Sequence, residues 1–183
     1  MKGKYHVIVR NRRVQFEFDI RRNITIVRGD SATGKTTLVS MIEAYERLGQ
    51  DSGIEVICER RCRTLTNSNW QILLEQLNEC IIFIDEENAF IKTVEFARAI
   101  RGTDNYYVLV TRENLPALPY SVEEIYGIHC SGKYSDLRRT YNSFFKLYSM
   151  DEQEHETPAA TVIVEDSNSG FEFYANVVGD GVL

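Results

Sequence analysis

The stretch RGDSATGKTT (residues 28–37) joins a short apolar segment to a helical pattern through a glycine-rich loop. Gly29, Gly34, Lys35 and Thr36 fit the spacing G-x-x-x-x-G-K-[ST], in which backbone N–H groups and a helix N-terminus bind phosphate. In such a loop the lysine reaches the β- and γ-phosphates, and the following hydroxyl binds Mg²⁺. The spacing therefore predicts a nucleotide-binding loop formed by Gly29, Asp30, Ser31, Ala32, Thr33, Gly34, Lys35, Thr36 and Thr37.

The segments on either side of the loop have the character that this motif requires. NITIVRG (23–29) is β-branched and short, which indicates a strand. KTTLVSMIEAYERLG (35–49) repeats apolar residues with a period near 3.6 and ends at Gly49, which predicts a helix. Strand, loop and helix in this order favour a phosphate site over an ordinary turn.

A second segment, CIIFIDEEN (80–88), is an apolar run that ends in acids. It predicts a central strand buried on both faces, with Asp85 at its end binding Mg²⁺ directly or through water. Glu86 stands next to this aspartate, where a carboxylate can polarise water for attack on the γ-phosphate. Glu87 fits a solvated turn better than a chemical role.

The remaining pattern alternates strands and helices. KYHVIVRNRRVQFEFDI (4–20) predicts an antiparallel hairpin, and YSDLRRTYNSFFKLY (134–148) predicts a helix, although its aromatic residues leave a strand open. We expect an α/β fold, a three-layer sandwich with a mainly parallel sheet, the N-terminal antiparallel β-hairpin and a small C-terminal β-containing appendage. The expected domains are a nucleotide-binding domain over 1–148, an acidic linker over 149–158 and a β segment over 159–183.

Composition and charge limit the classes of partner. The chain has 183 residues, 26% of them charged, and neither an apolar run long enough to span a bilayer nor a signal peptide, so we expect a cytoplasmic protein with no membrane partner. Residues 1–63 hold 13 of the 21 Lys and Arg and only 8 of the 27 acids. The arginine clusters at 10–13, 21–22 and 60–63 make nucleic acid a candidate partner, beside the alternative of solvated turns.

The four cysteines stand at irregular spacing. Cys58 and Cys62, followed much later by His129 and Cys130, match no common zinc-finger pattern. We therefore expect reduced thiols rather than a metal site or disulfides.

GDSATGKTT (29–37) and CIIFIDEE (80–87) resemble the Walker A and Walker B motifs of the P-loop NTPases, in the division that carries an additional catalytic glutamate. Over residues 3–131 the chain looks most like the ABC-type ATPase heads of the SMC, RecF and OLD-like proteins. The resemblance implies ATP and Mg²⁺ as cofactors, Glu86 and Lys35 as catalytic residues, and Thr36 and Asp85 as metal ligands. It also implies that the strand YYVLVT (106–111) lies between the two motif strands, with Thr111 or Arg112 near the γ-phosphate. Arg112 stands where relatives keep a histidine, and it either contacts the nucleotide or caps the strand.

The chain departs from the ABC-type pattern between the two motifs. Only 50 residues separate Lys35 from Asp85, and they contain no LSGGQ-like signature and no evident Q-loop glutamine. Either the site works alone and slowly, or a protein partner or a second copy of the chain completes it.

The expected function is a Mg²⁺-dependent ATPase whose hydrolysis drives or times a partner, with nucleic-acid-related or defence processes as candidate settings. One alternative is a small-molecule or nucleotide kinase, for which Arg138 and Arg139 would serve as a lid. A further alternative is a non-hydrolysing nucleotide switch.

Overall fold

One nine-stranded sheet organises the protein in the computed structural model, which describes residues 3–29, 34–66, 69–131 and 139–148. Its strands follow one another across the sheet in the order β4-β1-β2-β9-β8-β3-β7-β6-β5. The strands are β1 (Tyr5–Arg10), β2 (Val14–Ile20), β3 (Ile24–Val27), β4 (Glu55–Ile57), β5 (Cys62–Thr64), β6 (Ile81–Ile84), β7 (Tyr106–Val110), β8 (Ile125–Ser131) and β9 (Thr140–Lys146).

Five neighbouring strands, β8, β3, β7, β6 and β5, pair in parallel. In this block Val27 of β3 lies opposite Val110 of β7, and Leu109 of β7 lies opposite Ile84 of β6. The strand β7 therefore stands between β3 and β6, which confirms the strand order that the resemblance implies. The three central strands of this block, β3, β7 and β6, are buried along their whole length because both of their faces are covered.

The rest of the sheet contains antiparallel pairs. β1 pairs antiparallel with β2 and with β4, and β8 pairs antiparallel with β9. The pairing of β1 with β2 is the hairpin that the alternation over residues 4–20 predicts. β9 also pairs in parallel with β2, so this single strand connects the hairpin to the parallel block.

The described residues contain three α-helices: α1 (Lys35–Leu48), α2 (Trp70–Gln76) and α3 (Val94–Ile100). Thr93 caps α3 because its Oγ1 accepts the N–H of Phe96 at 3.2 Å. Three short 3-10 helices cover Gly49–Ser52, Ala89–Lys92 and Val122–Glu124. None of the helices in the described ranges is long and apolar enough to span a bilayer.

Two hydrophobic clusters lie on the two faces of the parallel block, since successive side chains of a strand point to opposite faces. Phe83 and Val108 contribute to the cluster that contains α1 and the apolar face of the β1–β2 hairpin. Ile82 and Leu109 contribute to the other cluster, which contains Trp70 of α2 and residues of α3.

The expected fold class is wrong. The sheet is mixed, with nine strands and few helices, rather than the mainly parallel sheet of a three-layer α/β sandwich. The reason is β9. Its residues were expected to be helical, but they form a strand that pairs with both β2 and β8 and so joins the hairpin to the parallel block. The expected linker over 149–158 and the β appendage over 159–183 lie outside the described residues.

The two edge strands of the sheet are consecutive in the chain. β4 and β5 stand at opposite ends of the strand order, yet only residues 58–61 connect them. A chain of that length spans at most about 18 Å from Ile57 to Cys62, so the sheet curls until its edges approach each other. We call this approach, over residues 55–64, the sheet seam.

Candidate functional site

The parallel strands β3, β6 and β7 end at one edge of the sheet. Because their register pairs Val27 with Val110 and Leu109 with Ile84, the residues that follow the strands are neighbours. This edge brings together Arg28 and Gly29 after β3, Asp85 and Glu86 after β6, and Thr111 and Arg112 after β7. The residues at this edge come from both of the motifs that the sequence singled out.

Lys35 closes the glycine-rich loop. Its side chain is buried, and its Nζ donates a hydrogen bond to the backbone O of Gly29 at 2.8 Å. This hydrogen bond thus joins the first glycine of the loop to the lysine that follows its last glycine. Asp30, Ser31, Ala32 and Thr33 lie outside the described residues, and their expected contacts with phosphate stay predictions.

Gly34 allows the chain to enter α1. Its φ of 88° lies in the left-handed region, and its O accepts the N–H of Leu38 at 2.9 Å. A Cβ at this position would stand 3.3 Å from Cζ of Phe16. Both the backbone angle and the space therefore favour glycine. Thr36 and Thr37 lie exposed in the first turn, where unpaired N–H groups and the helix dipole favour anions.

Asp85 is held by the turn that follows β6. Its Oδ1 accepts the N–H of Glu86 at 2.7 Å, and its backbone O accepts the Asn88 side chain at 3.0 Å. The carboxylate is nearly buried, with 9% of the residue exposed, and its Oδ2 accepts no hydrogen bond from the described residues. One of the two carboxylate oxygens is therefore oriented by the backbone N–H of Glu86.

Glu86 and Arg112 form an ion pair across the strand ends. The distance from Arg112 Nε to Glu86 Oε2 is 3.3 Å. Glu87, the next residue, is exposed. The structure thus pairs Glu86, the expected general base, with Arg112, for which a contact with phosphate is one of the two expected roles. The sequence does not indicate this pairing.

Thr111 and Arg28 fix the loop that follows β7. Thr111 is buried, and its Oγ1 accepts the N–H of Glu113 at 3.1 Å. Arg28 Nη2 donates to the O of Glu113 at 3.1 Å and to Oδ1 of Asn114 at 2.8 Å. Through these contacts the entry to the glycine-rich loop is tied to the neighbouring loop. The hydroxyl of Thr111 is occupied with backbone groups.

Two residues that support the site were not assigned a role from the sequence. Arg28 stands inside the quoted stretch but outside the motif spacing, and Asn88 supports Asp85 from three residues further on. The spacing Asp-x-x-Asn after a strand is a turn signal that would have indicated Asn88. The partners of Arg28 are more than 80 residues away, so no local signal exists for them.

The donor set suits magnesium bound together with a nucleotide. Mg²⁺ takes one or two carboxylates and the oxygens of substrate phosphates, with water filling the other positions. Asp85 supplies one carboxylate oxygen, and the Thr36 hydroxyl is exposed at the start of α1. Among the described residues there is no group of three or more His, Cys, Asp or Glu that holds a metal alone. A bound metal at this edge would therefore depend on the phosphates.

The arginine clusters lie in different surroundings. Arg21 and Arg22 line a cavity of about 1120 Å³ together with Lys4 and Arg101. In the cluster at 60–63, Arg60 stacks on two tyrosine rings and donates to the backbone O of Asp104 at 2.8 Å. Both surfaces are basic and neither includes a residue of the phosphate loop.

Comparison of the chain with protein-family models found no match, and comparison with curated proteins found none either.

Proposed function

We propose that the protein is a Mg²⁺-dependent nucleoside-triphosphate hydrolase, with ATP as the first nucleotide to test, whose hydrolysis drives or times a partner. The common edge of β3, β6 and β7 supports this proposal most directly. At this edge Gly29, whose O accepts from Lys35, stands with Asp85, the proposed metal ligand, and Glu86, the proposed general base.

In this proposal each residue has a separate task. The backbone of residues 29–37 and the start of α1 bind the phosphates, and Lys35 turns from Gly29 toward their negative charge. Asp85 and Thr36 would hold Mg²⁺, which would supply positive charge to the phosphate oxygens. Glu86 orients a water molecule and accepts its proton.

Glu86→Gln provides the decisive experiment, with Glu87→Gln as its matched control. The full chain is mixed with Mg²⁺ and ATP, and phosphate release and nucleotide binding are measured separately. Glu86→Gln should keep nucleotide binding and lose hydrolysis by about 10²- to 10⁴-fold, the usual contribution of a positioned base. Glu87→Gln should stay within about twofold of the parent, as for most surface substitutions.

Equal hydrolysis by the Glu86→Gln variant and the parent chain would overturn the role of Glu86. GTP and CTP, assayed in parallel, identify the base that the site prefers. Repeating the assay with DNA, with RNA and with co-purifying proteins tests whether a partner accelerates turnover.

A non-hydrolysing nucleotide switch is the second candidate, and the Glu86–Arg112 ion pair favours it. While Oε2 of Glu86 accepts from Arg112, the carboxylate has fewer open positions for a water molecule. Tight nucleotide binding without turnover, with or without partners, would select the switch.

The kinase alternative has less support. Arg139, one of the two lid arginines, donates through Nη1 to Oε1 of Gln15 at 3.4 Å and directly precedes β9. The other, Arg138, lies outside the described residues. Phosphate transfer from ATP to a nucleoside or metabolite would select a kinase over the hydrolase.

A further inference from the structure

Two thiols meet at the sheet seam. Cys58 directly follows β4 and Cys62 is the first residue of β5, so the cysteines belong to the two opposite edges of the sheet. Cys58 is half-buried against the cluster that contains the buried Cys62. Both line one cavity of about 330 Å³, and the Cys62 thiol donates to the backbone O of Arg60, which lies between them in the chain, at 4.0 Å. The pair is therefore a single chemical unit with access from outside.

The hydrogen bonds around Cys58 favour its thiolate. The neighbouring Cys62 thiol favours the Cys58 thiolate most, and the backbone at Arg60 and Glu59 adds to this, while burial and the Glu59 carboxylate oppose it. Against the opposing effect of burial, these contacts lower the pKa of Cys58 to about 7. The same thiol–thiol contact, together with burial, raises the pKa of Cys62, which stays protonated. One cysteine is thus the nucleophile and the other its proton-bearing neighbour.

The walls of the cavity are basic. Arg63 is paired with Glu46 of α1 at 3.0 Å, and Arg60 is 3.5 Å from Glu79, while Arg61 forms no ion pair with the described residues. The titratable and charged groups that line the cavity with the two thiols are Tyr45, Glu46, Glu59, Arg60, Arg61 and Arg63. Two of these arginines are already paired with acids, so Arg61 is the arginine placed to bind an anionic group of a reactant.

We propose that Cys58 and Cys62 form a dithiol redox site that reacts with anionic low-molecular-weight disulfides of the glutathione type and closes a disulfide across the sheet seam. The Cys58 thiolate attacks one sulfur of the small disulfide, whose S–S bond breaks. A mixed disulfide forms on Cys58, and one thiolate of the reagent leaves.

The second step uses Cys62. Once Cys58 carries no negative charge, the contact that held the proton on Cys62 is gone, and this thiol loses its proton to solvent. Its sulfur attacks Cys58 and the second reagent thiolate leaves. Two protein thiols are oxidised by two electrons in total, and the small disulfide is reduced to two thiols. The new bond joins the two edge strands beside α1, whose Glu46 accepts the N–H of Thr64 at 2.9 Å.

The test treats the reduced full-length chain with oxidised glutathione, blocks remaining thiols with N-ethylmaleimide, and locates the products by mass spectrometry. The parent chain should lose two hydrogens as a disulfide between Cys58 and Cys62. Cys62→Ser should stop at one glutathionyl group on Cys58. Cys58→Ser should form neither product at Cys62. A second variant, Cys62→Ala, keeps the position apolar in case serine disturbs folding.

The exposed Cys130 provides the control within the chain, because its modification should give a mixed disulfide without closure. In a second measurement, the alkylation rate of Cys58 should follow a single titration with a midpoint near pH 7. At pH 7 the rate should exceed that of N-acetylcysteine by about fivefold, since the larger thiolate fraction is partly offset by lower nucleophilicity.

Alkylation of Cys58 no faster than that of N-acetylcysteine would overturn the proposal. So would a parent chain that carries a glutathionyl group on Cys58 and never closes the disulfide. Neither measurement involves nucleotide, so the redox site and the proposed hydrolase stand or fall separately.

Discussion

Arg112 and Glu86 bind each other across the ends of two adjacent parallel strands, with 3.3 Å between Nε and Oε2. The arginine side chain is 55% exposed and the glutamate side chain 33% exposed, so the pair itself contributes at most about 1 kcal/mol to stability. The pair matters for function because it engages the carboxylate of Glu86, the proposed general base. The pair holds the Glu86 carboxylate toward Arg112 and takes one of the acceptor positions that would otherwise be open to a water molecule.

Replacing Arg112 tests this competition. Arg112→Gln should raise basal hydrolysis because the Glu86 carboxylate no longer pairs with the arginine. The increase should be at most about fivefold, the factor that corresponds to about 1 kcal/mol. The free energy of unfolding should change by less than about 1 kcal/mol. Phosphate release and urea denaturation measure the two effects, and Arg12→Gln, in the exposed hairpin turn, is the control. A loss of hydrolysis with nucleotide binding retained would instead assign Arg112 to the phosphate.

Lys35 should be needed for binding nucleotide rather than for folding. Lys35→Ala removes a buried ammonium that binds Gly29 O in the absence of ligand. Since hydrogen bonds to charged groups contribute about 1.5–3 kcal/mol, nucleotide affinity should fall by about tenfold to a hundredfold. Titration calorimetry with Mg²⁺ and ATP measures the loss. Lys92→Ala, which removes an exposed lysine paired with Glu113, is the matched control, and an equal loss there would contradict the assignment.

Gly34 and Gly53 share a left-handed backbone and differ in their surroundings. Their φ angles are 88° and 67°, but only a Cβ on Gly34 would meet another side chain, that of Phe16. Gly53→Ala should cost about 1 kcal/mol of stability from backbone strain, and Gly34→Ala should cost more than that. Urea denaturation gives the two values. Gly34→Ala should also weaken nucleotide binding while Gly53→Ala does not. Identical effects on both measurements would show that the contact with Phe16 is unimportant.

The buried carboxyl of Glu124 should make stability depend on pH. Burial raises the pKa of Glu124 above its ordinary value, against the opposing effects of the Tyr126 hydroxyl and of Arg22. The folded protein therefore bears a cost when Glu124 is charged, and this cost disappears as the pH falls through the raised pKa toward the ordinary value of about 4.3.

Glu124→Gln removes that charge at every pH. The variant should gain stability relative to the parent chain at neutral pH, and the gain should vanish in acid. Urea denaturation from pH 4 to pH 8 measures the difference, with the adjacent Glu123→Gln as control. A difference that does not vary with pH would contradict the assignment.

The sequence predicts the elements with strong local patterns. The alternation over 4–20 predicts β1 and β2, the apolar runs before Asp85 and Thr111 predict β6 and β7, and the 3.6-residue period predicts α1. β5 has only three residues, one of them Arg63, so it lacks a detectable pattern. β9 resembles a helix or a strand locally, and its pairing with β2 decides the matter from more than 120 residues away.

The same distinction applies to the site. Strand ends predict that Lys35, Asp85 and Glu86 gather at one edge, because parallel strands end on the same side. The Arg112–Glu86 ion pair depends on the register of β6 and β7, which no local pattern contains. Cys58 and Cys62 are only four positions apart in the chain, but their spacing does not indicate that they line one cavity.

The position of β9 in the sheet has a consequence for synthesis on the ribosome. The hairpin of β1 and β2 emerges early. The strand β9, which pairs with the other edge of β2, is completed only at Lys146. A hairpin alone is marginally stable in water, so the nascent chain has to keep the outer edge of β2 unpaired while more than 100 further residues are made. We expect chains that stop before β9 to be captured by chaperones or degraded, whatever the state of their phosphate loop.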